Sequence, residues 1–165
     1  MPRIVLIVHN IRSCYNVGSL LRTADGLGVN KVYLTGYTPY PATAADQRMP
    51  HLAQKIDRQI HKTALGAECS VAWEHDSDIT TVIHQLKLTG FAIVALEQAA
   101  ASIPLHTYRP LERTALIIGR EVEGVEPEVL ALADTIVEIP MHGQKESFNV
   151  SIAAAVALYR LLQCG

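Results

Sequence analysis

The sequence predicts an α/β protein built on a mostly parallel sheet with helices on both faces. Two observations predict it. Residues 4–8, 91–96 and 115–118 are apolar at every position, as strands buried on both faces are. Between such runs lie segments whose apolar residues recur at helical spacing. The chain of 165 residues has room for one core, so residues 1–165 are expected to form a single domain.

The elements follow in order. Ile4–Val8 is the first expected strand. Residues 16–27 place Val17, Leu20, Leu21, Ala24 and Leu27 on one helix face. Lys31–Leu34 is a short strand, and residues 36–50, with three prolines, are a loop. Residues 51–64 have a helical pattern. A strand is expected at 71–73 and a helix at 77–88, with Ser77 as its cap. After the apolar strands comes a short helix at 127–133, with Pro127 in its first turn. A strand at 136–139 and a final helix at about 149–162 complete the chain.

Composition narrows the function. With 49% hydrophobic and 18% charged residues the sequence fits an ordinary globular protein. No apolar run approaches the roughly 20 residues of a membrane span. The run at 4–8 is too short for a signal peptide, so a cytoplasmic protein is expected. Cys14, Cys69 and Cys164 are few and far apart, which argues against a disulfide framework. No CxxC or HExxH pattern occurs, and no metal is expected. The net charge of −2 divides unevenly, with +5 in residues 1–62 and −7 in residues 63–165. A basic half can face phosphates while the whole stays mildly acidic.

Ligands of parallel sheets bind beyond the carboxyl ends of the strands. Those ends lead here into Leu96-Glu97, Ile118-Gly119-Arg120-Glu121 and Ile139-Pro140-Met141. The absence of GxGxxG after the first strand and of any GxxxxGK[ST] disfavours a dinucleotide or P-loop nucleotide site.

Three motifs carry chemistry. In the first, Asn16 to Ala24 (NVGSLLRTA), Asn16 stands where a helix cap would be. Gly18 and Arg22 share a face, so the glycine could admit a substrate backbone and the guanidinium could hold a phosphate. The second, Leu116 to Val125 (LIIGREVEGV), sets Glu121 in a glycine-bounded loop beside the crevice. The third, from Ile139 onward (IPMHGQKESFNVSIAAAVALYRL), supplies Ser147 and Asn149 ahead of the last helix. Singly, these patterns are also those of surface arginines, tight turns and helix caps.

In this order the three motifs resemble those of the SpoU/TrmH family of RNA ribose 2′-O-methyltransferases, in the SPOUT superfamily. The resemblance covers essentially the whole chain. The family pattern usually has leucine where Val125 and Phe148 stand, and both changes keep an apolar residue. The resemblance implies a C-terminal deep trefoil knot, a homodimer and S-adenosylmethionine as methyl donor. It implies catalytic roles for Asn16, Arg22, Glu121, Ser147 and Asn149. It implies a cofactor site at Leu96, Glu97, Ile118, Gly119, Ile139 and Met141, with Ser147, Phe148 and Asn149 from the start of the last helix. The expected substrate is the ribose of a tRNA or rRNA. Another RNA acceptor, or RNA binding without catalysis, stays open.

The first strand begins almost at once, so no N-terminal RNA-binding extension is expected. Recognition then falls to the core, its loops and a second subunit. Arg48, His51, Lys55, Arg58 and Lys62 recur at spacings of 3 and 4, as a basic stripe or an ordinary solvated helix face would. With Arg12, the residues Arg48, Lys55, Arg58 and Lys62 are the candidate RNA contacts. Loop 36–50 adds Tyr37 and Tyr40, aromatics on which splayed bases could stack.

Overall fold

The computed structural model describes residues 2–163. Its strands are β1 (Arg3–His9), β2 (Lys31–Thr35), β3 (Trp73–Asp76), β4 (Ala92–Leu96), β5 (Ile103–Pro104), β6 (Arg113–Ile118) and β7 (Thr135–Glu138). The helices are α1 (Cys14–Leu27), α2 (Pro50–Ala64), α3 (Ala67–Ser70), α4 (Ile79–Leu88), α5 (Pro127–Leu130) and α6 (Val150–Leu162). The strands form one sheet in the order β3-β2-β1-β6-β4-β7-β5, and every ladder is parallel. Cys164 lies outside the described residues. No described helix is long and apolar enough to cross a membrane.

Strand periodicity explains the two-faced core. Ile4, Leu6 and Val8 of β1 pack with Leu20 and Leu21 of α1 and with Ala154 and Leu158 of α6. Val5 and Ile7 face the other way, toward Val82, Ile83 and Leu86 of α4. Central strands buried on both faces therefore read as continuous apolar runs, and β1, β4 and β6 lie where such runs were expected.

Shorter elements depart from the sequence expectation. The strand expected at 71–73 is Trp73–Asp76, because the chain first makes α3, with Val71 N–H bonding the Ala67 carbonyl. The sequence WEHD is polar because β3 is an edge strand, and apolar runs do not find it. The cap of α4 is Asp78 rather than Ser77, and its carboxylate accepts from Thr80 N–H at 2.9 Å. The two-residue β5 was not expected at all. Its proline suits the sheet edge it occupies.

Gly18 has a different use from the one its spacing suggested. A Cβ there would fall on the Thr63 hydroxyl and the Ile60 carbonyl, and 2.9 Å from Ala64 N. The backbone that approaches Gly18 is that of α2, not that of a substrate. Gly18→Ala is therefore expected to lower stability by about 1–3 kcal/mol, although alanine is the better helix former. Denaturant titration checks this. An unchanged midpoint would mean that α1 and α2 can move apart.

Candidate active site at the carboxyl end of the sheet

All strands run the same way, so the loops after β1, β4, β6 and β7 emerge at one end of the sheet. The first motif is set there by the start of α1. Its cap is Ser13, whose hydroxyl accepts from Asn16 N–H at 3.2 Å. Asn16 is thus not the cap expected from sequence but lies in the first turn, with its side chain free for other contacts. Asn16 Nδ2 donates to Glu121 Oε1 at 3.3 Å, and Asn149 Nδ2 donates to Asn16 Oδ1 at 3.4 Å. One asparagine therefore joins all three motifs. Asn149 also caps α6, accepting from Ser151 N–H at 2.9 Å, so cap and site roles coincide in it.

Glu121 is held from several sides. Its carboxylate also accepts from Ser13 N–H at 3.2 Å and Arg12 N–H at 3.4 Å. Burial alone would push its carboxyl pKa up. The donors at Glu121 itself, Ser13, Asn16 and Arg12 outweigh burial and hold it below the ordinary range. The group is an anion at neutral pH, seated at a helix N-terminus where negative charge is favoured.

The loop after β6 is tightly closed. Arg120 and Gly124 exchange backbone hydrogen bonds at 3.1 Å, and Gly124 takes φ 71°. A Cβ on Gly119 would lie 2.6 Å from the Gly124 carbonyl oxygen, so both glycines of the motif serve this turn. Glu97 Oε2 accepts from Val125 N–H at 2.8 Å and fastens the loop to the end of β4. Gln98 Nε2 donates to the Glu146 carbonyl at 2.8 Å and fastens the loop after β7.

These loops enclose a cavity of about 260 Å³. Leu96, Glu97, Ile118, Gly119, Ile139, Met141, Ser147 and Phe148 all line it. Asn149, expected among them, stands outside the lining and meets the site through Asn16. Gln98, Arg120, Val122, Glu138, Glu146 and Val150 also line the cavity and were not singled out from sequence. Most of them adjoin motif residues, which was the available signal.

The other expected residues divide. Arg22 is exposed on α1, outside the cavity, with no hydrogen-bond or ion-pair partner among the described residues. Lys55, Arg58 and Lys62 are exposed along α2, as is His51. Arg48 does not belong to that stripe. Its guanidinium donates to Asp46 and to the Tyr40 and Pro41 carbonyls, and stacks 3.6 Å over the Tyr40 ring. It braces loop 36–49 from within. Arg12 is exposed beside Tyr37.

A second polar cluster supports the end of β1. Buried His9 meets Thr35 Oγ1 through Nδ1 at 2.9 Å. Asn10, at φ 55°, donates from Nδ2 to Glu126 Oε1 at 2.8 Å.

With this geometry in view, residues 3–159 match the sequence profile of the SpoU rRNA methylase family. The chain belongs to that family. It is 28% identical over 159 residues to the tRNA (guanosine(18)-2′-O)-methyltransferase of Aquifex aeolicus, covering 94% of this chain and 67% of the relative. The enzyme of that name from Escherichia coli is 28% identical over 158 residues, covering 96% of this chain and 62% of the relative. The chain thus spans about two thirds of the length of these relatives. The SpoU methyltransferase AviRb from Streptomyces viridochromogenes, solved with its cofactor AdoMet, superposes with a TM-score of 0.80 at 23% identity. That match covers 98% of this chain and 57% of AviRb, and it shows the shared fold.

Stability should depend on pH through His9. Burial lowers the His9 pKa, Glu126 opposes that and Arg120 reinforces it, with a net lowering. Between the lowered folded value and the ordinary value of about 6.5, the unfolded chain binds more protons. Stability is therefore full above about pH 6.5 and falls as the pH drops below it. His9→Gln is expected to flatten that slope in thermal unfolding between pH 7 and 5. An unaltered slope would place the titration elsewhere.

Proposed function

We propose that this chain is an RNA ribose 2′-O-methyltransferase that uses S-adenosylmethionine and acts as a homodimer on tRNA or rRNA. The observation that carries the reading is the hydrogen-bonded series Glu121–Asn16–Asn149, which joins the three family motifs beside one cavity. Residues 1–165 are read as one methyltransferase domain, with the trefoil knot that family membership implies. An RNA substrate is in keeping with work in the cytoplasm.

The cavity fits the cofactor by its donor set. Leu96, Ile118, Ile139, Met141 and Phe148 offer an apolar slot for a flat aromatic ring. Among the described residues, no N–H between Met141 and Phe148 has a backbone partner, so these donors are available to a polar ligand. Glu97, Glu121, Glu138 and Glu146 in the lining outnumber its one cation, Arg120, a balance that suits a positively charged ligand. When bound, S-adenosylmethionine supplies a methyl group already activated by its positive sulfur, so transfer needs no metal.

The protein's own groups then have to align the ribose and hold its phosphate. Asn16 and Asn149 can bond ribose hydroxyls through the amide capacity that their present contacts leave free. Glu121 is already satisfied by several donors, so it is a poor proton acceptor and serves as a positioning residue. Arg22 offers five N–H donors and no acceptor, and suits a phosphate and a developing oxyanion better than proton removal. Lys55, Arg58 and Lys62 extend the basic surface along α2, with Arg12 near the site. Ser147 lines the cavity and can hydrogen-bond either ligand.

The dimer reading rests on α6. Ile152, Val156 and Tyr159 recur at i, i+4 and i+7 on one face and remain 53%, 43% and 58% exposed. Such a stripe suits helix packing between subunits. Arg22 stands apart from its own cavity, as expected if the site is completed at a subunit interface.

Two experiments test the reading. Arg22→Ala is expected to cut methyl transfer to unmodified RNA by about 100-fold or more. Calorimetric binding of S-adenosylmethionine should stay nearly unchanged. Retention of most turnover would remove Arg22 from the mechanism. Val156→Glu is expected to shift the protein from dimer to monomer in light scattering. A variant that remains a dimer would exclude this α6 face as the interface.

A further inference from the structure

Of the two tyrosines in loop 36–49 that sequence offered for base stacking, the structure leaves one available. Tyr40 stacks on His75 at a centroid distance of 4.0 Å, and Arg48 covers it. Tyr37 is 51% exposed, yet its backbone is fixed. Its N–H donates to Asn10 Oδ1 at 3.1 Å. The preceding Gly36 donates to the Asp76 carbonyl at 3.1 Å, and its own carbonyl meets His75 Nε2 at 3.3 Å. A Cβ on Gly36 would strike Asn10, so the chain at this corner has little freedom to shift.

Arg12 lies beside the ring, with Cζ 5.9 Å from its centroid, inside the range of a cation–π contact. Both members are tied to the loop after β6. Arg12 N–H bonds Glu121 Oε2, and Asn10 bonds Glu126 while holding Tyr37. Glu121 is the carboxylate that also holds Asn16. The aromatic–arginine pair is thus built into the same framework as the candidate ribose site. A rigid, half-open aromatic ring with an adjacent guanidinium is how proteins hold unpaired bases, at low cost in ordering.

We propose that Tyr37 and Arg12 form a stacking platform for an unpaired nucleobase of the RNA strand that enters the site. The proposal deepens the methyltransferase reading and rests on RNA being the substrate. It makes Tyr37 a residue that selects single-stranded over paired RNA.

The test measures anisotropy of a short fluorescent oligoadenylate and of an abasic strand of the same length and charge. Tyr37→Ala is expected to weaken oligoadenylate binding by about 5- to 100-fold, the usual range for losing one base stack, and to leave the abasic strand unaffected. Tyr37→Phe and Tyr37→Trp should keep most of the affinity. Unchanged binding by Tyr37→Ala overturns the platform. So does equal weakening toward both strands, since a folding or backbone effect would act on both. Failure of the parent protein to prefer the oligoadenylate overturns it as well. Methyl transfer by the parent protein to unmodified total RNA, tRNA and rRNA together, measured alongside, separates the two claims. Tyr37-dependent base binding without transfer leaves the platform standing and removes the methyltransferase reading. Transfer together with base binding indifferent to Tyr37 does the reverse.

Discussion

The carboxylate of Glu121 accepts from the backbone of Arg12 and Ser13 and from the amide of Asn16, and so binds the loop after β6 to the start of α1. These groups lie more than a hundred residues apart in sequence, and the parallel pairing of β1 with β6 brings them together. An anion at the beginning of a helix stabilises that end and satisfies N–H groups that have no partner within the helix. The same contact fixes Asn16, which then receives Asn149 from the start of α6. Loss of the Glu121 carboxylate would remove three charge-assisted hydrogen bonds at once, from Arg12, Ser13 and Asn16.

The framework behind this contact is stiff because its helices approach closely. Gly18 allows α1 to meet the backbone of α2, and Ala154 and Ala157 are fully buried where α6 packs on the sheet. Close backbone packing leaves little room for rotation of α1 about its axis. The positions of Asn16 and Arg22 are therefore set by residues with almost no side chain. Glu97 and Gln98 do the corresponding work on the other side of the cavity, where they fasten two loops that lack regular structure.

Much of this was legible in the sequence. Continuous apolar runs located β1, β4 and β6, because strands buried on both faces allow no polar position. The polar β3 and the two-residue β5 were not legible, since edge strands need not be apolar and a pair of residues has no period. Eight cavity-lining residues, among them Leu96, Ile118, Met141 and Phe148, followed from motif resemblance and strand ends, whereas Gln98, Glu138 and Glu146 among others did not. Three roles could not be read that way. Gly18 looked like a substrate contact because spacing shows which residues share a face, not what lies opposite. Asn16 looked like a cap, while Ser13 takes that position. Arg48 fell into register with the α2 stripe, but its guanidinium turns into its own loop toward Asp46 and Tyr40.

The uneven charge along the chain gains a physical meaning from the fold. The basic N-terminal part supplies Arg12, Arg22 and the exposed face of α2, all outside the cavity. The acidic C-terminal part supplies Glu97, Glu121, Glu138 and Glu146 around the cavity itself, against the single cation Arg120. A polyanion is attracted to the first surface and repelled by the second, whereas a small cation is drawn inward. In the proposed reading the two ligands carry those opposite charges, so one division of charge keeps RNA at the rim and the methyl donor inside. A protein that was basic throughout would hold RNA more tightly but would lose that sorting, and a net charge of −2 is compatible with it.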